Sequence, residues 1–226
     1  MTTQISKDKR LYDTVIFDLD GTLLDTLEDL QDAVNFVLLK RGYPLRSLEE
    51  IRSFVGNGIF LLMERAVPEE VTEEELQRIY LEFREYYTSH CKIKTKPYEG
   101  VKELLQYLKD NGYLTAIVSN KNDAAVKQLS QDYFPGLIDI AVGQREGIRI
   151  KPAPDTINEV LKLLDTDSKR TLYVGDSEVD QATAENASMD YVLVDWGFRS
   201  REQLMELKPK RIVSHSEALL QSIITL

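Results

Sequence analysis

Thr14-Val15-Ile16-Phe17-Asp18-Leu19-Asp20-Gly21-Thr22 is the stretch on which the reading of this chain turns. Thr14 to Phe17 is an apolar, mostly β-branched run of strand length. It ends in two close carboxylates and a glycine turn. In an open α/β sheet, ligands bind in the crevice at the carboxyl ends of the strands. Two neighbouring carboxylates there repel, so the fold needs a cation or a shared proton to hold them. Taken alone, the stretch reads equally well as an ordinary Asp-Gly turn, since both residues form turns for local reasons.

Three later segments shift that balance. Leu114-Thr115-Ala116-Ile117-Val118-Ser119-Asn120-Lys121 is a second apolar strand ending in small polar residues. Lys151 opens Lys151-Pro152-Ala153-Pro154-Asp155. Thr171-Leu172-Tyr173-Val174-Gly175-Asp176-Ser177-Glu178-Val179-Asp180 is a third strand ending in carboxylates. In chain order these supply carboxylates, a hydroxyl, a lysine and more carboxylates. The combination resembles the haloacid dehalogenase superfamily of phosphotransferases, with all four of its motifs present in order across most of the chain.

Composition narrows the function classes. A length of 226 residues fits one large domain or one domain with an insert, and 42% hydrophobic residues is ordinary for a globular core. A net charge of −10 argues against nucleic acid or an anionic membrane as partner, so a phosphate site must be positive locally. A single cysteine, Cys91, excludes an intramolecular disulfide and a cysteine-rich zinc site, and reads as a buried or half-buried thiol. Met1 to Arg10 is polar and charged, unlike a signal peptide, and no apolar stretch has the length of a membrane span. The expectation is a soluble cytoplasmic protein, monomer or homodimer.

Along the chain, Leu27, Leu30, Val34, Val37 and Leu38 recur at helical spacing over Asp25 to Lys40, and Gly42 and Pro44 stop that helix. Ser47-Leu48-Glu49-Glu50 has the capping-box pattern of a short helix. A Gly56-Asn57-Gly58 break precedes a helix through Ala66, which Pro68 ends, and Thr72-Glu73-Glu74-Glu75 caps a longer one through Tyr87. No strand pattern lies between Asp25 and Lys96. That span is far longer than the roughly 15 residues a structureless loop usually reaches, which predicts a separate helical domain over 25–95. The remainder, 1–24 with 96–226, alternates strands and helices: strands over Tyr113–Ser119, Leu137–Val142, Thr171–Val174 and Tyr191–Val194, and an edge strand over Arg211–Val213. The fold expected is α/β, a doubly wound and mostly parallel sheet of Rossmann-like haloacid dehalogenase type with an inserted helical cap.

Phosphoryl transfer is catalysed mainly by positioning and charge neutralisation. A carboxylate nucleophile divides one hard step into two easier ones. The resemblance makes Asp18 the nucleophile, and its place deepest on the strand agrees. Asp20 would protonate the leaving oxygen and then activate water, provided that the turn begins at Leu19. The resemblance implies Mg²⁺ held by Asp18, the backbone carbonyl of Asp20 and Asp176. Asp180 would hold a metal-bound water or orient Lys151, and Glu178 reads as solvent-exposed. Ser119 and the Asn120 N–H would grip phosphate oxygens, with Lys151 supplying positive charge.

The helical insert resembles the cap of phosphoglycolate phosphatases at Val55-Gly56-Asn57-Gly58 and Met63-Glu64-Arg65-Ala66, as does Trp196-Gly197-Phe198-Arg199-Ser200 in the core. Gly56 and Gly58 would admit a small ligand closely, Asn57 would donate to its oxygens, and Arg65 would either pair with a substrate carboxylate or lie on the surface. Trp196 reads as core or as a wall of the site, Tyr80, Tyr86 and Tyr87 as cap packing, and His90 and His215 as outside the chemistry. The leading expectation is a Mg²⁺-dependent phosphatase for a small phosphorylated metabolite such as 2-phosphoglycolate. A sugar phosphomutase (β-phosphoglucomutase-like), a broad sugar-phosphate phosphatase, a pyrophosphatase and a phospho-accepting signalling module are the alternatives.

Overall fold

The computed structural model describes residues 10–225, so the segment Met1 to Lys9, in which no signal peptide was expected, lies outside the described residues. In chain order, β1 (Thr14–Phe17) and β2 (Leu24–Asp25) lead into four helices: α1 (Leu27–Leu39), α2 (Leu48–Phe54), α3 (Ile59–Ala66) and α4 (Glu73–His90). Then come β3 (Lys96–Pro97), α5 (Val101–Asp110), β4 (Leu114–Asn122), α6 (Asp123–Tyr133), β5 (Ile140–Gln144) and α7 (Asp155–Leu163). The chain closes with β6 (Thr171–Gly175), α8 (Glu178–Asn186), β7 (Asp190–Val194), α9 (Arg201–Glu206), β8 (Ile212–Val213) and α10 (Ser216–Ile224).

Six strands form one sheet in the order β5-β4-β1-β6-β7-β8, and every pairing in it is parallel. All four residues of β1 are buried, because helices cover both faces of a parallel sheet. Val15 and Phe17 pack into one apolar cluster with the helices α1 to α6 and α10. Ile16 points the other way, into a second cluster with Ala116, Val118, Tyr173 and the helices α7 to α9. The connections from β1 run outward to β4 and β5, then cross back to β6, so the strand order reverses beside β1. The ends of β1, β4 and β6 therefore open on the crevice at the switch point, where doubly wound sheets bind ligands.

The doubly wound parallel sheet matches the expectation, with local differences. A two-stranded antiparallel ribbon, Leu24 opposite Pro97 and Asp25 opposite Lys96, brackets the four helices and has no pattern in the sequence. β4 extends through Asn122 instead of ending at Ser119, and α9 fills a stretch without a predicted element. The capping box at Ser47 is present: its Oγ accepts from Glu50 N at 3.2 Å, and Glu50 Oε2 accepts from Ser47 N at 2.8 Å. Asp29 on α1 is buried and accepts from Lys94 N, Thr95 N and Thr95 Oγ1, which fastens the helices to the strand that leaves them. Among the described residues no helix is long and apolar enough to cross a membrane.

Candidate active site

Asp18 follows β1 directly, and its backbone N–H donates to Val174 O of β6 at 2.9 Å, so the strand pairing itself sets its depth. Lys151 Nζ lies 2.9 Å from Asp18 Oδ1 and 2.8 Å from Asp180 Oδ1, and it donates to Tyr173 Oη at 3.1 Å. The other Asp180 oxygen accepts from Ser177 Oγ at 2.6 Å and Asp176 N at 3.1 Å. Tyr173 Oη donates to Asp180 Oδ1 at 3.0 Å. With four donors on two oxygens and no exposure, Asp180 has its capacity filled by the protein. Of the two roles expected for it, orienting Lys151 is the one these contacts support.

Asp176 directly follows β6 and is also buried. Its Oδ2 accepts from Phe198 N at 2.7 Å, and Thr22 Oγ1 donates to Oδ1 at 3.5 Å. Gly21 and Gly197 press on the same carboxylate, because a Cβ at either would lie 2.3 or 2.4 Å from Asp176 Oδ2. Burial, with the charges of Asp180 and Asp18, pushes the Asp176 carboxyl well above the ordinary carboxylate range. Burial likewise raises Asp18 to about 7, with Asp180 and Asp20 adding and Lys151 opposing. Asp18, Asp176 and Asp180 each bring an oxygen within 4.8 Å of the others. An all-oxygen donor set whose buried charges repel fits a hard divalent cation such as Mg²⁺, and Asp18 and Asp176 are the members left to hold it.

β4 supplies Ser119, Asn120 and Lys121, all buried. The Asn120 side chain accepts from Lys151 N at 2.8 Å and donates to Lys151 O at 3.1 Å, so it fixes the backbone that carries the lysine. Lys121 has no role among those expected from the sequence. Its Nζ lies 3.0 and 3.2 Å from the two oxygens of Asp20 and 2.8 Å from Tyr87 Oη on α4. Tyr87 is thus buried packing and also a polar contact to the sheet, which corrects the expectation of packing alone.

Asp18, Asp20, Ser119, Asn120, Lys121, Lys151 and Asp176 line one cleft, and the segment between β2 and β3 contributes Leu30, Val55, Gly56, Gly58, Ile59 and Leu62. Neither Asn57 nor Arg65 lines it. Arg65 is exposed, as one of its two expected readings has it, and donates to Asn57 Oδ1 at 3.0 Å and Phe54 O at 2.6 Å, so this pair braces the turn instead of facing the cleft. Glu178 is not simply solvated: it accepts from Arg199 Nε and Nη2, both at 2.9 Å. Burial alone would raise its carboxyl, but the Arg199 hydrogen bonds and charge outweigh that and hold it below the ordinary range. Arg199 also lines the cleft, and it donates to Arg52 O at 3.1 Å and Val55 O at 3.0 Å, the last turn of α2. Trp196 is half-buried outside the cleft lining and donates to Thr22 O at 3.1 Å, which makes it a support of the β1 turn. His90 stacks on Tyr86, and His215 caps α10, both away from the cleft.

Comparison with known proteins agrees with this geometry. The haloacid dehalogenase-like hydrolase family matches residues 15–194. A phosphoglycolate phosphatase of Mesorhizobium japonicum is 34% identical over 213 residues, covering 91% of this chain and 92% of that protein. One from Psychrobacter arcticus is 32% identical over 227 residues, covering 96% of each. A crystal structure from Lactobacillus delbrueckii subsp. bulgaricus superposes with a TM-score of 0.91 at 37% identity, covering 96% of this chain and all of that one.

Proposed function

The chain belongs to the haloacid dehalogenase-like hydrolase family, and within that family we propose that it is a Mg²⁺-dependent phosphatase for a small phosphorylated acid of the 2-phosphoglycolate kind, working through phospho-Asp18. The observation that carries this reading is Lys151 Nζ seated between Asp18 and Asp180 at 2.9 and 2.8 Å, in the cleft that Asp176, Ser119 and Asn120 also line. One buried cation thereby stands next to a carboxylate nucleophile where a phosphoryl group needs its charge neutralised.

Residues 25–95 act as a cap over a core made of 1–24 and 96–226. Ser119 Oγ, the Asn120 N–H and Lys151 hold the phosphoryl oxygens. An Asp18 oxygen attacks phosphorus, the phosphorus–ester oxygen bond breaks, and the proton of Asp20 goes to the departing alkoxide. Asp20 then takes a proton from water as its oxygen attacks phospho-Asp18, which returns the Asp18 carboxylate and releases inorganic phosphate. Mg²⁺, when bound by Asp18, the Asp20 carbonyl and Asp176, supplies the charge that lets one anion approach another. Two carboxylates are needed because the residue that activates water must not be the one carrying phosphate.

A phosphomutase needs a second basic grip for its bisphosphate intermediate. Among the described residues the segment between β2 and β3 gives the cleft only apolar side chains and glycines, and the further cations lining it, Lys121 and Arg199, are paired with Asp20 and Glu178, which favours a phosphatase with a small leaving group. The relatives named for phosphoglycolate support the acid substrate. The test is a panel of 2-phosphoglycolate, sugar phosphates and pyrophosphate with Mg²⁺, run on wild type and Asp18→Asn. Preference for the small acid, loss of turnover in the variant and acid-quench trapping of phosphate on Asp18 are expected. Turnover by a homogeneous Asp18→Asn sample would refute the nucleophile assignment.

A further inference from the structure

Lys121 is a buried cation to which the mechanism above gives no task. Its side chain is 3% exposed, against 19% for Asp20, and its Nζ reaches both Asp20 oxygens and Tyr87 Oη. The ammonium also sits 4.7 Å from the centre of the Tyr87 ring. Burying an ion pair seldom adds stability over apolar packing of the same volume. A pair retained in the lining of the cleft therefore calls for another explanation.

The backbone is built to aim this lysine. In a regular strand successive side chains alternate between faces, yet Ser119, Asn120 and Lys121 all line the same cleft. The register between β4 and β5 shifts between Val118 and Asn122, the kind of irregularity that redirects side chains beside active sites. Gly143 on β5 makes room for it, since a Cβ there would lie 2.4 Å from Lys121 O.

We propose that Lys121 is the positioning residue that fixes the Asp20 carboxylate for proton transfer, and that Tyr87 ties this position to helix α4. The inference rests on the reading of Asp20 as general acid and base. Asp20 stands in a turn beside Gly21, where its own rotamers would let it swing. Contact from one ammonium to both oxygens limits that swing, and an error of about 1 Å in such a group can cost about 10²-fold in rate. Because Tyr87 belongs to the helices and Lys121 to the sheet, displacement of the helices is felt at Asp20.

The experiment compares kcat/KM for 2-phosphoglycolate, whose alkoxide needs a proton to leave, with 4-nitrophenyl phosphate, whose leaving group departs without one. This parameter reports events up to the first irreversible step, so water activation does not blur the comparison. In Asp20→Asn and Lys121→Met the loss on the alkyl ester is expected to exceed the loss on the aryl ester by about tenfold or more. Tyr87→Phe, which deletes one oxygen, should show a smaller skew in the same direction. Equal losses on both esters in Lys121→Met, or none, would overturn the inference while Asp20→Asn keeps its skew. Equal losses in Asp20→Asn would instead overturn the acid–base reading and the inference with it. If Lys121→Met does not fold, Tyr87→Phe decides: a skewed loss supports the proposal, and an even loss or none overturns it.

Discussion

Replacing Gly21 by alanine tests the site through one methyl group. Gly21 has φ +86°, and an added Cβ would stand 2.3 Å from Asp176 Oδ2. The backbone conformation alone costs an alanine about 1–2 kcal/mol. Ordinary contact begins near 3.4 Å, so the Asp176 carboxylate must retreat by about 1 Å within a packed interior. Overpacking of that kind adds about 1–3 kcal/mol. The sum, roughly 2–5 kcal/mol, corresponds to a Tm lower by roughly 4–20 °C for a chain of this size. Because the residue displaced is a proposed Mg²⁺ ligand, the Mg²⁺ concentration for half-maximal turnover should rise about 10–100-fold. Gly136→Ala is the control: its φ is +71° but nothing lies within 4 Å of the added Cβ. It should lose the backbone cost only and keep the Mg²⁺ response. Gly197→Ala presses on the same oxygen without a left-handed backbone, so the two substitutions should couple in the double variant by about 0.5 kcal/mol or more. Gly21→Ala with the Tm and Mg²⁺ response of Gly136→Ala would refute the placement of Asp176.

The Glu178–Arg199 pair predicts a pH dependence of stability. Its folded-state carboxyl lies below the ordinary value of about 4.3, so the pair's contribution is complete above that value and lost as pH falls through the lower one. The Tm advantage of wild type over Glu178→Gln should therefore shrink on acidification below about pH 4, and an advantage that persists through acid would contradict the assignment. Asn57→Ala and Arg65→Ala should each lower kcat/KM for 2-phosphoglycolate and an aryl phosphate by the same small factor, because the two side chains hold each other outside the cleft. A loss confined to the acid substrate would return Asn57 to leaving-group recognition.

The parts of this molecule legible in its sequence are those with a local cause. β1 and β6 are buried on both faces, which writes continuous apolar runs, and a carboxylate after such a run marks the ligand-binding end of the sheet. The capping box at Ser47 is equally local. Lys121 shows the opposite case. A lysine after a strand is normally solvated, and its burial depends on a register shift, on Gly143 in the next strand and on a tyrosine far away in the chain. The ribbon of β2 and β3 is too short to carry any alternation. Asn57 and Arg65 have the residue types of ligand contacts, but whether they face a ligand or each other is decided by how α2 meets α3, which no periodicity encodes.

The central place of β1 has a consequence for how the protein is made. Thr14 pairs with Leu114 on one side and Thr171 on the other. At a synthesis rate of roughly 5–20 residues per second, this buried strand and Asp18 wait many seconds for either neighbour. The strand emerges first from the ribosome with both hydrogen-bonding edges bare, and the helices that follow it are the earliest shelter available to its side chains. Lys151, Asp176 and Asp180 are translated later still. A chain truncated before Asp176 lacks two of the three carboxylates of the buried cluster, so the site cannot assemble until synthesis has passed Asp180.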